Sequence, residues 1–128
     1  MTIELNHTIV HCRDKQASAR WYEDIMGVDA SKPFGPFLVM ELDNEVSLDL
    51  MDHGPGDIGS QHYAFLVSED AFDSIFARIL DRGLEYWADP GHRVAGQINT
   101  RDGGRGVYWD DPDGHILEII TRPYGSGD

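Results

Sequence analysis

Four side chains suited to metal binding or proton transfer occur at matching places in the two halves of this 128-residue chain. They form two pairs, each of one histidine and one carboxylate: His7 with Asp49, and His62 with Glu118. Each histidine lies in the first predicted strand of its half, and each carboxylate lies in the last. Neutral imidazole and carboxylate together suit Fe, Mn, Ni, Co or Zn, and three such ligands leave coordination positions open for a substrate or water.

Glu118 is the least expected of the four, because it stands among apolar residues in the segment Gly106–Thr121, GVYWDDPDGHILEIIT. The DPDG sequence predicts a turn, and the β-branched run after it predicts a strand from His115 to Thr121. Strand alternation places Glu118 on the same face as Ile116 and Ile120. A carboxylate among isoleucines is costly to bury unless a positive group meets it, and a bound cation would be such a group.

The elements that must position these residues repeat along the chain. In the first half we predict a strand over Glu4–Cys12, a helix from Lys15 to Met26 capped by Asp14, a loop at Lys32–Pro36, and a hairpin of Phe37–Leu42 with Glu45–Met51. In the second half we predict a strand over Gln61–Val67, a helix between Ser68 and Gly83, a short strand at Leu84–Ala88, a polar loop over Asp89–Arg105, the closing hairpin, and a frayed tail at Pro123–Asp128. This duplication is typical of two units whose open faces bury each other.

Composition narrows the choice of partners. The net charge of −13, from 23 acidic and 10 basic residues, excludes nucleic acid and anionic membranes as partners. No apolar run approaches the roughly 20 residues that cross a bilayer, and the N-terminus lacks the pattern of a signal peptide. The single cysteine, Cys12, excludes an internal disulfide framework and is expected in the core. We therefore expect a cytoplasmic protein that binds a small molecule.

Four short motifs carry a family resemblance: LNHT in the first strand, IMGV at the end of the first helix, QHYAF at the start of the second half, and DPDGHILEI near the C-terminus. Over residues 4–121 the chain resembles the vicinal oxygen chelate superfamily, which includes glyoxalase I, extradiol dioxygenases, fosfomycin-resistance thiol transferases and bleomycin-resistance proteins. The resemblance implies an α+β fold of two tandem βαβββ modules forming a cupped mixed β-sheet around a metal site, often in a homodimer. Residues 1–128 would then form a single domain, with module one at about 3–52, a linker at about 53–60 and module two at about 61–122.

The motif also implies roles for the four residues. His7, His62 and Glu118 fall on the shared metal-ligand positions, and Asp49 falls where glyoxalase I has a fourth ligand, usually glutamate. Because aspartate is shorter than glutamate, Asp49 either binds the metal or touches it only through water. Glu118 or Asp49 would also serve as the proton shuttle that lyase-type relatives imply.

Three further residues are candidates for substrate binding: Tyr63, Arg105 and Tyr108. The two tyrosines could supply the tyrosine that ring-cleaving relatives place near the metal. Arg105 could pair with an anionic substrate, or it could be a solvated loop charge. The remaining histidines are expected on the surface or in loops: His11, His53, His92 and His115.

The resemblance implies a divalent-metal-dependent enzyme acting on a small oxygen-chelating substrate, either as a lyase or isomerase of the glyoxalase type or as a ring-cleaving dioxygenase. Two alternatives stay open. A metal-free relative could bind drugs as bleomycin-resistance proteins do, although those proteins generally lack the intact ligand set. A fosfomycin-type thiol transferase holds its phosphonate with Thr and Lys positions that here appear as Ile9 and the Lys-free stretch Trp87–Pro90.

Overall fold

The computed structural model describes residues 2–127 and confirms the predicted α+β class, with two helices and two small mixed sheets. In chain order the elements are β1 (His7–Cys12), α1 (Lys15–Met26), β2 (Lys32–Phe34), β3 (Phe37–Glu41), β4 (Ser47–Asp52), β5 (His62–Leu66), α2 (Glu69–Asp81), a short 3-10 helix (Arg101–Gly103), β6 (Gly106–Asp110) and β7 (Ile116–Ile120). The chain divides into two compact units, of which the first ends at Ile58 and the second begins at Gly59. Neither helix, nor any other helical stretch within residues 2–127, has the length and apolarity to cross a membrane.

The first unit is a complete βαβββ module with the sheet order β1-β4-β3-β2, in which β1 and β4 run parallel. Helix α1 has its predicted bounds because its ends are specified locally. The Asp14 carboxylate accepts hydrogen bonds from the backbone N–H groups of Gln16 and Ala17, and Gly27 adopts the left-handed conformation at φ 70°. The apolar face of α1, which includes the buried Tyr22 and Ile25, packs on the sheet.

One prediction for the first unit is wrong, because the expected loop at Lys32–Pro36 contains strand β2. Residues Lys32–Phe34 pair antiparallel with β3 and form the edge of the sheet. Proline lacks a backbone N–H and is therefore tolerated on an edge strand, so Pro33 does not prevent pairing here. A turn at Gly35, with φ 56°, closes this hairpin.

The second unit is shorter by one strand and has the sheet order β5-β7-β6, with β5 and β7 parallel. The hydroxyl of Ser68 caps α2 by accepting a hydrogen bond from the N–H of Ala71 at 3.1 Å. The predicted strand at Leu84–Ala88 is wrong, since only Trp87 pairs there, through isolated bridges to Tyr108 and Ala95. The chain then turns into the long loop, with the Ala88 N–H bonded to the carbonyl of Val94.

The C-terminal tail also departs from the prediction that it is frayed. The Asp102 carboxylate, within the 3-10 helix, accepts hydrogen bonds from the N–H groups of Gly125 and Gly127 at 3.1 and 3.3 Å. The Arg122 guanidinium donates to the carbonyl of Ser126 at 2.9 Å. These contacts fix the tail against the long loop as far as residue 127, and Asp128 lies outside the described residues.

Candidate metal centre

The two histidine–carboxylate pairs occupy equivalent positions in the two sheets. On β1 and β4, His7 lies opposite Ser47, and Asp49 is two residues further along β4. On β5 and β7, His62 lies opposite Ile116, and Glu118 is two residues further along β7. Because strand side chains alternate with a period of two, each carboxylate lies on the same sheet face as its histidine. The strand register thus confirms the predicted equivalence of the two pairs.

The pair in the second unit is in direct contact. The Nε2 atom of His62 lies 2.9 Å from Oε1 of Glu118. Glu118 is only 2% exposed, and its second oxygen, Oε2, is buried without a hydrogen-bond partner among the described residues. A buried carboxylate oxygen that meets no donor is costly, and a cation bound there would remove that cost. The donor types and the unpartnered oxygen therefore fit a divalent metal ion.

Tyr108 lies beside this pair. It is opposite Glu118 in the pairing of β6 with β7, and its ring centroid is 5.8 Å from that of His62. Burial, together with the nearby Glu118 carboxylate, raises the pKa of the Tyr108 phenol to about 12, although Arg101 acts in the opposite direction. The phenol is therefore protonated near neutral pH. It can donate a hydrogen bond there but cannot act as a base.

The pair in the first unit is arranged differently, since each member bonds to a neighbouring residue. The Nδ1 atom of His7 lies 2.7 Å from the amide oxygen Oδ1 of Asn6. An amide oxygen only accepts hydrogen bonds, so Nδ1 carries the proton and Nε2 of His7 has a lone pair for a ligand. The buried Asp49 carboxylate accepts a hydrogen bond from the hydroxyl of Ser47 at 2.8 Å.

A cavity of about 370 Å³ lies in the first unit next to these residues. Its lining includes Asn6 and Ser47, which hold His7 and Asp49, together with Val39, Glu41, Leu42, Glu45 and Val46. The apolar members can pack against a small organic molecule. The two exposed glutamates give its border negative charge, which disfavours an anionic ligand.

Two of the predicted substrate-binding residues lie away from the His62–Glu118 pair. Tyr63 is on the opposite face of β5, since it lies opposite Leu117 in the strand pairing, and its ring packs edge-on against another histidine, His115. Arg105 is held on α2. Its guanidinium lies 2.8 Å from carboxylate oxygens of both Glu69 and Asp73, and it stacks over the Phe72 ring at 4.3 Å. The proposed contacts of Tyr63 and Arg105 with substrate stay predictions.

Within residues 2–127, no three His, Cys, Asp or Glu side chains are close enough together to hold a metal ion. Of the four predicted residues, the structure brings His62 and Glu118 into contact. The complete ligand set of His7, His62 and Glu118 stays a prediction, as does the role of Asp49.

The structure differs from the sequence prediction at His115 and adds a contact made by Tyr124. His115 was expected at the surface, but its side chain is completely buried. Its alternation with Leu117 and Ile119, which are also fully buried, is the signal that could have placed it in the core. The hydroxyl of Tyr124 lies 2.8 Å from that of Tyr108. No local pattern in the sequence indicates that contact.

A family model and several solved structures are similar to nearly the whole of this chain. The family model described as Glyoxalase/Bleomycin resistance protein/Dioxygenase superfamily matches residues 4–119. The solved structure of Oxidase ChaP-H1 is 65% identical with a TM-score of 0.93, covering 97% of this chain and 99% of that one. Oxidase ChaP-H2 is 61% identical with a TM-score of 0.95, and both chains are covered completely.

A more distant relative bears a different activity in its name. Metallothiol transferase FosB of Shouchella clausii (strain KSM-K16) is 37% identical over 60 residues, which is 47% of this chain. The matched segment spans 37% of that relative's length.

Proposed function

This chain belongs to the Glyoxalase/Bleomycin resistance protein/Dioxygenase superfamily, and we propose that it is a divalent-metal-dependent oxidase of a small substrate with adjacent oxygen atoms. The observation that carries the proposal is the His62–Glu118 pair, with its 2.9 Å contact and its unpartnered buried oxygen. The two relatives named as oxidases, at 65% and 61% identity over nearly the whole chain, favour oxidation over isomerisation.

We propose that the metal ligands are Nε2 of His62, the carboxylate of Glu118, and Nε2 of His7. The assignment of His7 is supported by its neighbour Asn6, because histidines that bind metals usually donate their other ring N–H to an oxygen acceptor. Asp49 is assigned as a fourth ligand or as a group that reaches the metal through water. Its burial and its hydrogen bond from Ser47 hold the carboxylate in one orientation for either role.

A divalent ion bound by these ligands would polarise adjacent substrate oxygens and provide redox chemistry with molecular oxygen. The protein's own residues then have separate tasks. Glu118 balances the charge of the ion in a buried position. Asp49 accepts a proton from a substrate hydroxyl, and Tyr108, whose protonated phenol is a hydrogen-bond donor to Glu118, holds that carboxylate in place.

The cavity in the first unit favours an uncharged, hydroxyl-bearing substrate such as a catechol. Its apolar residues suit an aromatic ring, and Glu41 and Glu45 at its border repel anions. A thiol transferase acting on a phosphonate is the second candidate, favoured by the similarity to FosB. The acidic cavity border and the net charge of −13 both oppose a phosphonate, so this candidate is the weaker one.

The test separates three reactions in one preparation. Metal-depleted protein is loaded with Fe²⁺ or Mn²⁺ and then given a catechol in the presence of oxygen, a methylglyoxal–glutathione adduct, or fosfomycin with a thiol. We expect metal-dependent oxygen consumption with the catechol alone. Isomerisation of the adduct, or thiol addition to fosfomycin, without oxygen consumption would contradict the oxidase proposal.

A matched pair of variants links that activity to the site. His62→Ala should abolish oxygen consumption, since it removes a metal ligand. Glu85→Ala removes an exposed side chain from the same unit and should leave the activity within about twofold of wild type, as surface substitutions are usually tolerated. Equal loss in both variants would mean that the effect does not come from the proposed site.

A further inference from the structure

His115, the buried histidine of the DPDGH motif, has no part in the proposed chemistry. It follows the turn at Asp111–Gly114, where the Asp111 carboxylate accepts hydrogen bonds from the N–H groups of Asp113 and His115 at 2.9 and 2.8 Å. The Asp111 N–H in turn donates to the carbonyl of His115 at 2.9 Å. The backbone of His115 is therefore held firmly by the turn.

From this position the His115 ring reaches β5 just before His62. The N–H of Gln61 donates to Nδ1 of His115 at 3.0 Å, and the carbonyl of Gln61 accepts from the N–H of Ile116 at 2.8 Å. Both backbone polar groups of Gln61 are thus bonded to the turn and to β7. The Ser60 hydroxyl adds a third bond, to the carbonyl of Gly114 at 2.7 Å.

The geometry fixes which nitrogen of His115 carries the proton. A backbone N–H can only donate, so Nδ1 must present a lone pair, and the proton of the neutral ring lies on Nε2. His115 shares its sheet face with Leu117, opposite to the face of Glu118, because the two positions differ by an odd number along β7. It therefore acts on His62 through the backbone of Gln61 and not by touching the pair.

We propose that His115 is a positioning residue: its Nδ1 lone pair fixes the backbone of Gln61, which sets where His62 Nε2 lies relative to Glu118. The importance of this positioning for metal binding rests on the proposed function of that pair. The tautomer and the effect on the Gln61 backbone do not depend on it.

Two substitutions distinguish positioning from simple packing. Asparagine places its oxygen two bonds from Cβ, as histidine places Nδ1, so His115→Asn keeps an acceptor for the Gln61 N–H. Glutamine is closer to histidine in size, but its oxygen is one bond further from Cβ, so His115→Gln loses that acceptor position. If packing alone mattered, the glutamine variant would be the milder of the two.

The experiment measures the affinity for Mn²⁺ alone and the hydrogen exchange of the Gln61 amide in the metal-free protein. We expect His115→Asn to bind Mn²⁺ within about threefold of wild type with the Gln61 amide protected. His115→Gln should bind roughly 10–100-fold more weakly, with protection lost. The control Glu85→Gln, an exposed position in the same unit but outside these contacts, should match wild type in both measurements.

Three outcomes separate this inference from the proposed function. A milder effect of His115→Gln than of His115→Asn on Gln61 exchange would overturn the positioning role. If His62→Ala binds Mn²⁺ as wild type does, the proposed metal site is wrong, and the exchange data still decide the role of His115. If His115→Gln does not fold, nitrogen NMR of the wild-type protein decides it, since a proton on Nδ1 of His115 would overturn the assignment.

Discussion

The two units repeat the same strand register but use it differently. In the second unit the histidine and the carboxylate are in contact, with 2.9 Å between His62 Nε2 and Glu118 Oε1. In the first unit the equivalent residues bond to their own neighbours, His7 to Asn6 and Asp49 to Ser47. Duplication of the fold therefore does not duplicate the site.

Two sequence differences account for this contrast. The position opposite the histidine is Ser47 in the first unit and Ile116 in the second. Serine supplies a donor that satisfies Asp49, whereas isoleucine supplies none, which leaves Oε2 of Glu118 without a partner. The longer glutamate also reaches its histidine. In the first unit the carboxylate of Asp49 thus has a hydrogen-bond donor and lies beside a cavity. In the second unit one oxygen of Glu118 has no donor, and a bound cation would take that place.

The largest expected difference between the units is in metal affinity after matched carboxylate substitutions. Glu118→Gln should weaken binding of a divalent ion by more than the roughly 10–100-fold that a group hydrogen-bonded to a ligand contributes, because it removes a ligand. Asp49→Asn should stay within that range if Asp49 acts through water. Titration calorimetry measures the metal affinity of both variants. A larger loss of affinity in Asp49→Asn than in Glu118→Gln would mean that Asp49, and not Glu118, is the carboxylate that binds the metal directly.

The next effect concerns the stability of the metal-free protein. His62→Ala removes the 2.9 Å contact between His62 Nε2 and Glu118 Oε1 and should lower the free energy of unfolding by about 1–2 kcal/mol. His7→Ala changes an exposed side chain and should cost less than about 0.5 kcal/mol. Urea unfolding monitored by tryptophan fluorescence measures the two values, and equal values would remove the contrast between the pairs.

A smaller difference in stability is expected when an ion pair is removed from each of the two units. Arg105→Gln removes contacts with Glu69, Asp73 and Phe72 and should destabilise the protein by about 1 kcal/mol. Lys32→Gln removes an exposed pair with Glu41 at 4.0 Å and should cost at most about 0.3 kcal/mol. Thermal unfolding measures both variants. If Arg105→Gln raises KM with little loss of stability, Arg105 contacts the substrate, as its loop position predicts.

The last prediction is a dependence of stability on alkaline pH that arises in the second unit. Tyr108 has a pKa of about 12 in the folded protein and of about 10 in the unfolded chain. The folded state therefore holds the phenolic proton more tightly, and this contribution is complete below pH 10 and is lost as the pH rises towards 12. Unfolding measured across that range should show the decline in wild type, and a Tyr108→Phe variant with the same decline would contradict it.

Local signals in the sequence predicted much of this fold. Asp14 and Gly27 mark the ends of α1, and the spacing of the two histidine–carboxylate pairs gave their strand register correctly. Features set by distant contacts were not predictable in this way. The short pairing at Trp87 depends on Tyr108, and the tail depends on Asp102.

The side-chain arrangement of the site was only partly accessible from the sequence. Burial of Glu118 followed from strand alternation, but its unpartnered oxygen depends on which side chains surround it. The predicted homodimer and cytoplasmic location stay predictions, because they concern properties beyond a single chain.

The central claim is that His62 and Glu118 bind a divalent metal ion, and direct titration of the metal-depleted protein tests it. Mn²⁺ or Fe²⁺ should bind at one ion per chain in wild type, and the double variant His62→Ala/Glu118→Gln should bind none at the same concentrations while still folded. Saturable binding with the same stoichiometry in the double variant, or no binding in wild type, would contradict the account.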